Sequence, residues 1–521
     1  MEGLRVSRRK ALLGGVLASM SITLVLGCSG DTPTPLAEPR GPELVTSPTG
    51  RDAAPPTEPE PLPPRPRGPL PPRTVALDVD LGRVLAGTPV KLDVPANALG
   101  FNVVVRGEDD EEEVAITRVT SPSGEVVLRD AIVVGGTFES AKGLRIAAAE
   151  VPQNRLASTV PLERGAWSIV VAGKGTLSVS ARVQISGDGE FHGGALDMHV
   201  YLPRGLVVED PGSPHVVDAA RAERDASIEA RLDAFYRALE ATTGIVRGDV
   251  TFHDADPSFR RIATKRALDA AFAASAGVVA DGHQSVHVML TNELAFGNGT
   301  WGVASGIPGA ATRTGTRASG VALALTGDNF ASADGLALLH EVGHFVGLNH
   351  TTELVAGYAD PLADTPSCSA TIDSSRPSTF TSCPDKDNLM FPTLVSESLV
   401  LSETQRTIFR GSPVFRAFVG PDGDAGTPDA GESDAALPDA GPRALVPRRG
   451  LPVLRLTRSG RALSSEEALV LAGSCGTGMS AGYTREPALS REVLLRIAKD
   501  PDVAGIVRQR AARLAAHAPE P

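Results

Sequence analysis

One eleven-residue stretch restricts this chain more than any other feature: His340-Glu341-Val342-Gly343-His344-Phe345-Val346-Gly347-Leu348-Asn349-His350. Histidines four positions apart share a face when the backbone is helical, so His340 and His344 predict an α-helix from which two imidazoles reach one ion. Glu341 stands beside the first histidine, placed to take a proton from water at that ion rather than to bind the ion itself. Gly347 falls where the helix must stop. Glycine tolerates the left-handed conformation of such a turn, which swings His350 back toward the other two. Leu336, Leu339, Val342 and Phe345 give the same helix an apolar stripe to bury. Three neutral nitrogen donors that leave a fourth position open describe a catalytic zinc site; a structural site would be closed. One catalytic Zn2+ is therefore the expected cofactor.

The 521-residue chain as a whole is long enough for two or three domains, each with its own core. Its formal net charge of −12, with no dominant basic patch beyond the first ten residues, argues against nucleic acid as a partner. Residues 1–28 read as an export signal: Arg5, Arg8, Arg9 and Lys10 precede an uncharged, mostly apolar run from Ala11 to Gly27. Val25-Leu26-Gly27-Cys28 resembles a bacterial lipobox, which makes Cys28 the expected lipidation site and a membrane an expected partner through that N-terminal lipid. The implied location is the bacterial cell envelope, at the outer membrane or cell surface. Residues 29–72 are saturated with proline and small polar residues and read as an extended linker. Residues 421–443 repeat Asp-Ala-Gly units and read as a second linker. Residues 444–521 carry helical segments at Glu466–Leu471 and Ser490–Ile497, a small accessory module.

Two folded parts lie between the linkers. Residues 73–188 hold short apolar runs broken by turns, among them Asn102–Val105, Val114–Ile116, Trp167–Val171 and Leu177–Ala181, which predicts a β-sandwich module. Its acidic run Glu108–Glu113 reads as a solvated hairpin. Residues 191–420 alternate strands and helices. Strands at Leu196–Tyr201, Asp249–Phe252 and Ser285–Leu290 alternate with helices near 218–243 and 258–275, an order that implies a mostly parallel sheet. The expected fold class is α+β.

The long histidine signature resembles that of the metzincin clan of zinc peptidases, and the resemblance covers roughly residues 191–420. It implies a metzincin-like catalytic domain, a mostly parallel twisted sheet with helices, hydrolysing peptide bonds in a protein or peptide substrate. The clan's second hallmark is a tight methionine turn beneath the metal. Asn388-Leu389-Met390-Phe391-Pro392 fits it, with Met390 as the floor of the site. Position 392 is proline where astacin-like and serralysin-like members carry a tyrosine, so help from that residue is absent here. Asp364-Thr365-Pro366, with the cysteine pair Cys368 and Cys383, is closest to pappalysin-like bacterial members. An exported protein permits a disulfide between these two cysteines, which would pin the loop between His350 and the methionine turn. Trp301-Gly302-Val303-Ala304-Ser305 resembles the edge strand along which substrate lies, and Leu401–Gln405 the capped start of the clan's C-terminal helix. A zinc endopeptidase with Glu341 as general base is the reading that follows. The alternative is a surface adhesin or binding protein with a vestigial zinc site, against which the intact Glu341 counts.

Overall fold

A computed structural model describes residues 69–129, 142–153, 162–208, 214–275, 285–295, 300–312, 316–325, 331–352, 360, 362–368, 383–392 and 399–420, with 495, 496 and 499. The export signal with Cys28, nearly all of the first linker, the Asp-Ala-Gly linker and the rest of residues 444–521 lie outside the described residues.

The N-terminal part is antiparallel. Its strands are β1 (Leu77–Leu85), β2 (Pro89–Val94), β3 (Ala98–Arg106), β4 (Glu113–Thr120), β5 (Val126–Arg129), β6 (Lys142–Leu144), β7 (Ile146–Val151), β8 (Gly165–Ala172) and β9 (Thr176–Ile185). They form two sheets, in the orders β1-β9-β3-β7 and β2-β8-β4-β5, with β6 paired to β4. Alternate residues of each strand point to the same side. Phe101, Val103 and Val105 of β3 thereby meet Leu92, Ile116, Trp167 and Ile169 of the other sheet in one core. The Phe101 and Trp167 rings pack edge to face, 5.2 Å apart.

The acidic run is exposed, as expected of a solvated segment, except at one residue. Glu112 is buried, and its carboxylate accepts the backbone N–H groups of Glu108 and Lys174. The β3–β4 turn and the β8–β9 turn meet at this carboxylate, which gives a backbone donor of each its partner. Asp110 is engaged as well, accepting from Arg145 and Arg317.

The second part contains β10 (Gly194–Pro203), the hairpin β11 (Leu206–Val208) and β12 (His215–Val217), α1 (Ala219–Ala222), α2 (Ala226–Thr243) and β13 (Ile245–Ala255). There follow β14 (Arg261–Ile262), α3 (Lys265–Ala274), β15 (Val286–Thr291), β16 (Glu293–Leu294), β17 (Gly302–Ala304), β18 (Val321–Ala324), α4 (Ala331–Phe345), α5 (Glu403–Gly411) and β19 (Arg416–Ala417). The main sheet runs β13-β10-β15-β18-β17, with β19 beside β10. Its first four strands are parallel, while β17 and β19 run antiparallel to their neighbours. Strand β10 is buried along its whole length, as a central parallel strand covered on both faces must be. Helices α2, α4 and α5 cover one face and α3 the other.

Both expected helices are shorter than their sequence pattern suggests. The first is split: Asp225 caps α2 by accepting from Ser227 and Ile228, so the chain turns after α1. The second begins at α3, after Thr264 as N-cap, because Arg261–Ile262 pairs with Glu293–Leu294 instead of coiling.

Candidate metal centre

Helix α4 delivers His340 and His344 from one face, and both are fully buried. The helix is anchored at its start by Asp334, which accepts from Arg231 Nε of α2 and from Trp301 Nε1, each at 2.7 Å. A carboxylate in the first turn also suits the helix dipole. The helix ends at Phe345, and Gly347 follows with φ +98°, a conformation that side chains disfavour. The chain then reverses and brings His350 beside the other two.

The three Nε2 atoms stand 3.1 Å (His340 to His344), 3.2 Å (His340 to His350) and 3.1 Å (His344 to His350) apart. His340 Nδ1 faces the Leu389 carbonyl at 2.7 Å and His344 Nδ1 the Leu348 carbonyl at 2.8 Å. A carbonyl can only accept, so each ring donates its Nδ1 hydrogen there and presents an Nε2 lone pair to the centre. Lone pairs converging at this spacing repel unless a cation lies among them. Donors about 2.0 Å from a tetrahedral zinc stand about 3.3 Å from one another, so the observed triangle fits that ion. Burial, with the neighbouring His350 adding to it, lowers the pKa of His340 to about 3; the same causes carry His344 well below the ordinary histidine value. Both rings stay in the neutral form that binds metal.

Glu341 is buried and lies against Gly302 of β17. A Cβ at position 302 would come within 2.5 Å of Glu341 Cγ and 2.7 Å of Oε1, so only glycine lets the edge strand approach this carboxylate. Strand β17 ends the sheet, antiparallel to β18, and spans Gly302–Ala304. The flanking Trp301 is turned into the core to bind Asp334, and Ser305 Oγ accepts from Gly320 N at 3.1 Å.

Met390 is fully buried, its sulfur packed over Gly343, where a Cβ would stand 2.5 Å away. The turn around it is held by Asn388: Met390 N donates to Asn388 Oδ1 at 2.8 Å, and Asn388 Nδ2 donates to Gln405 Oε1 at 2.8 Å. Gln405 belongs to the capping box that starts α5, so the cap of that helix and the methionine turn share one oxygen. Thr351 N donates to the Met390 carbonyl at 3.0 Å, fastening the turn to the residue after His350.

Cys368 and Cys383 are joined in a disulfide, with Cα atoms 5.2 Å apart. Nearby, Asp385 accepts from the hydroxyls of Thr351 and Thr352 at 2.7 and 2.6 Å and holds the chain just past His350. Sequence reasoning missed Asp334, Arg231 and Asp385. The signal for Asp334 was present: a carboxylate one turn ahead of Leu338, in the first turn of the helix that carries both histidines.

The geometry therefore supports a zinc metallopeptidase centre of metzincin type. Residues 281–391, about a fifth of the chain, match the model of the peptidase family described as Pregnancy-associated plasma protein-A. That segment is similar to the pappalysin-like metallopeptidases, the resemblance its motif carries. No curated protein matches the chain by sequence. Among solved structures, archaemetzincin from Methanopyrus kandleri is similar at 15% identity, over 42% of this chain and 89% of that one, with a TM-score of 0.22. A family two carbohydrate esterase from Cellvibrio japonicus aligns at 8% identity, over 42% and 67%, with a TM-score of 0.09.

Proposed function

We propose that this protein is an exported, lipid-anchored, zinc-dependent endopeptidase with Glu341 as its general base. The observation that carries this reading is the buried Glu341, next to His340 on α4 and lying against Gly302 of the sheet's last strand. A zinc ion held by His340, His344 and His350 would make water acidic near neutral pH and polarise the scissile carbonyl. Glu341 takes the water's proton on a carboxylate oxygen and later returns it to the leaving amine nitrogen. An extended substrate pairs its backbone with the outer edge of β17, which among the described residues pairs with β18 alone. Pro392 closes the methionine turn and brings no phenol to the centre, so the proton transfers fall to Glu341.

Export and anchoring rest on the basic start, the apolar run and Cys28. A disulfide suits the oxidising compartment to which they lead. Cys28→Ser should shift the protein from the membrane to the soluble fraction; unchanged fractionation means that another feature attaches it.

Two variants test the chemistry. Glu341→Gln should keep its zinc and lose peptide hydrolysis by roughly 10²–10⁴-fold, the worth of a positioned acid–base group. His344→Ala should lose zinc and activity together, since two imidazoles hold the ion poorly. Parental hydrolysis by Glu341→Gln would sink the mechanism even with the metal in place.

A further inference from the structure

The N-terminal sheet β1-β9-β3-β7 has a second face, turned away from its own core, and this face is not left to water. Asn102 of β3 and Glu150 of β7 sit directly opposite each other there, and both are buried. Asn102 Nδ2 donates to Glu150 Oε2 at 3.0 Å and to the Gly309 carbonyl at 3.1 Å, while its Oδ1 accepts from Ala311 N at 3.3 Å. Gly309 and Ala311 belong to the connection between β17 and β18. Val104, Ile146 and Ala148 of the same sheet face pack against Ala310 of that connection, with Ala318 beside them. At the rim, Arg317 Nη2 donates to Asp110 Oδ1 at 2.7 Å. The connection is thus held by the N-terminal module at a buried polar point, an apolar patch and an exposed ion pair.

What the connection holds in turn is the catalytic part. Gly309 N donates to the Phe345 carbonyl at 2.9 Å, the last residue of α4. Ser305 N donates to the Gly320 carbonyl at 2.9 Å, where β17 ends. Pro308 and Glu150 close over Gly347, their Cβ atoms 3.7 and 4.0 Å from where a Cβ of Gly347 would be.

We infer that the N-terminal module is a working part of the peptidase cleft, in which Asn102 and Glu150 are positioning residues that set the edge strand β17 through residues 305–312. This inference rests on the peptidase reading above. Apolar packing alone would hold the connection but let it slide, whereas a buried amide that donates to a carboxyl and a backbone carbonyl and accepts from a backbone N–H specifies one register. A buried amide that lost these partners would be costly, so alternative seatings of the connection are disfavoured.

The test uses the full chain. Asn102→Ala and Glu150→Leu remove the polar point; Glu150→Gln keeps an oxygen for Asn102 Nδ2; Arg317→Ala removes the rim contact and touches neither core. Backbone hydrogen exchange is followed on metal-free protein, and KM and kcat on a long unfolded peptide. The first two variants should exchange about tenfold faster at residues 302–311, with β10 and β15 still protected. Their KM should rise several-fold while kcat and zinc content hold, and Glu150→Gln should restore the parental values. Arg317→Ala should raise exchange at residues 316–320 by less, as an exposed pair contributes little. Parental exchange at 302–311 in both disruptive variants overturns the inference. So does a uniform rise across both cores that Glu150→Gln shares, which would mark ordinary structural residues. A parent that hydrolyses no peptide defeats the peptidase reading, while the exchange data still decide whether the joint sets the edge strand.

Discussion

The histidine triad and the Asn102–Glu150 joint are both polar clusters sealed from water, and they are built on opposite terms. In the triad, two of the rings give their Nδ1 hydrogens to carbonyls, and all three Nε2 atoms crowd to 3.1–3.2 Å of one another. In the joint, the Asn102 amide answers the Glu150 carboxyl and two backbone groups. A polar cluster whose donors face acceptors holds parts together; one whose lone pairs converge calls for an ion from outside. Burial acts on both in the same direction, against charge. It keeps His340 neutral and able to bind metal, and it pushes the Glu150 carboxyl up to about 8, opposed by hydrogen bonds from Asn102 and Ser412.

The sharpest way to break this comparison lies at the triad's boundary with the edge strand. Gly302→Ala would drive a methyl group into Glu341. The carboxylate must shift while the histidines stay in place, and displacement of about 1 Å can cost roughly 10² in rate. We expect zinc content to be unchanged and kcat to fall by about that factor. Loss of zinc in this variant would mean that Glu341 and the ligands form one structural unit rather than a metal site with a separate base.

A smaller effect sharpens the other side. Glu150 has a folded pKa of about 8 against an ordinary glutamate value of 4.5. The folded value is the higher one, so the stability tied to its neutral form is complete below about pH 4.5 and is lost as pH rises through 8. The full span is on the order of 5 kcal/mol at most, since each pKa unit corresponds to about 1.4 kcal/mol. Asn102, Ser412, the Gly309 backbone and the Gly347 turn surround the group, and ionisation would load this seam first. Denaturant melts between pH 5 and 9 should show parental stability declining toward alkaline pH and a flatter profile for Glu150→Gln. Identical slopes in the two proteins would remove Glu150 as the cause.

Much of the metal centre was legible in the sequence because its constraints are local. The interval between His340 and His344 already demands a helix, and Gly347 marks where that helix turns, as its φ of +98° requires. Met390 could be found by a hallmark at short range downstream. The edge strand was legible too, though only Gly302–Ala304 forms it, since Trp301 is drawn inward by a carboxylate thirty-three residues away. Asp385 was not legible. Its role depends on the two threonine hydroxyls that folding places against it, and nothing in its own neighbourhood announces them.

The N-terminal strands show where local pattern stops. Alternation in β3 separates Phe101, Val103 and Val105 from Asn102 and Val104, and that two-residue period follows from strand geometry alone. It says that two faces exist but not what covers each. Asn102, Glu150 and Gln184 would read as solvent-facing, yet all three are buried against the catalytic part, Gln184 donating to the Phe415 carbonyl at 2.8 Å. Close approach at this seam also needs Gly100, where a Cβ would strike the backbone of Gly411. The sequence by itself determined the helix, the three histidines that converge, the neighbouring carboxylate and the turn that returns His350, since each is set within a few residues by backbone periodicity. Only the tertiary structure decided which polar residues face water and which form the joint, because burial depends on partners more than 200 residues away in the chain.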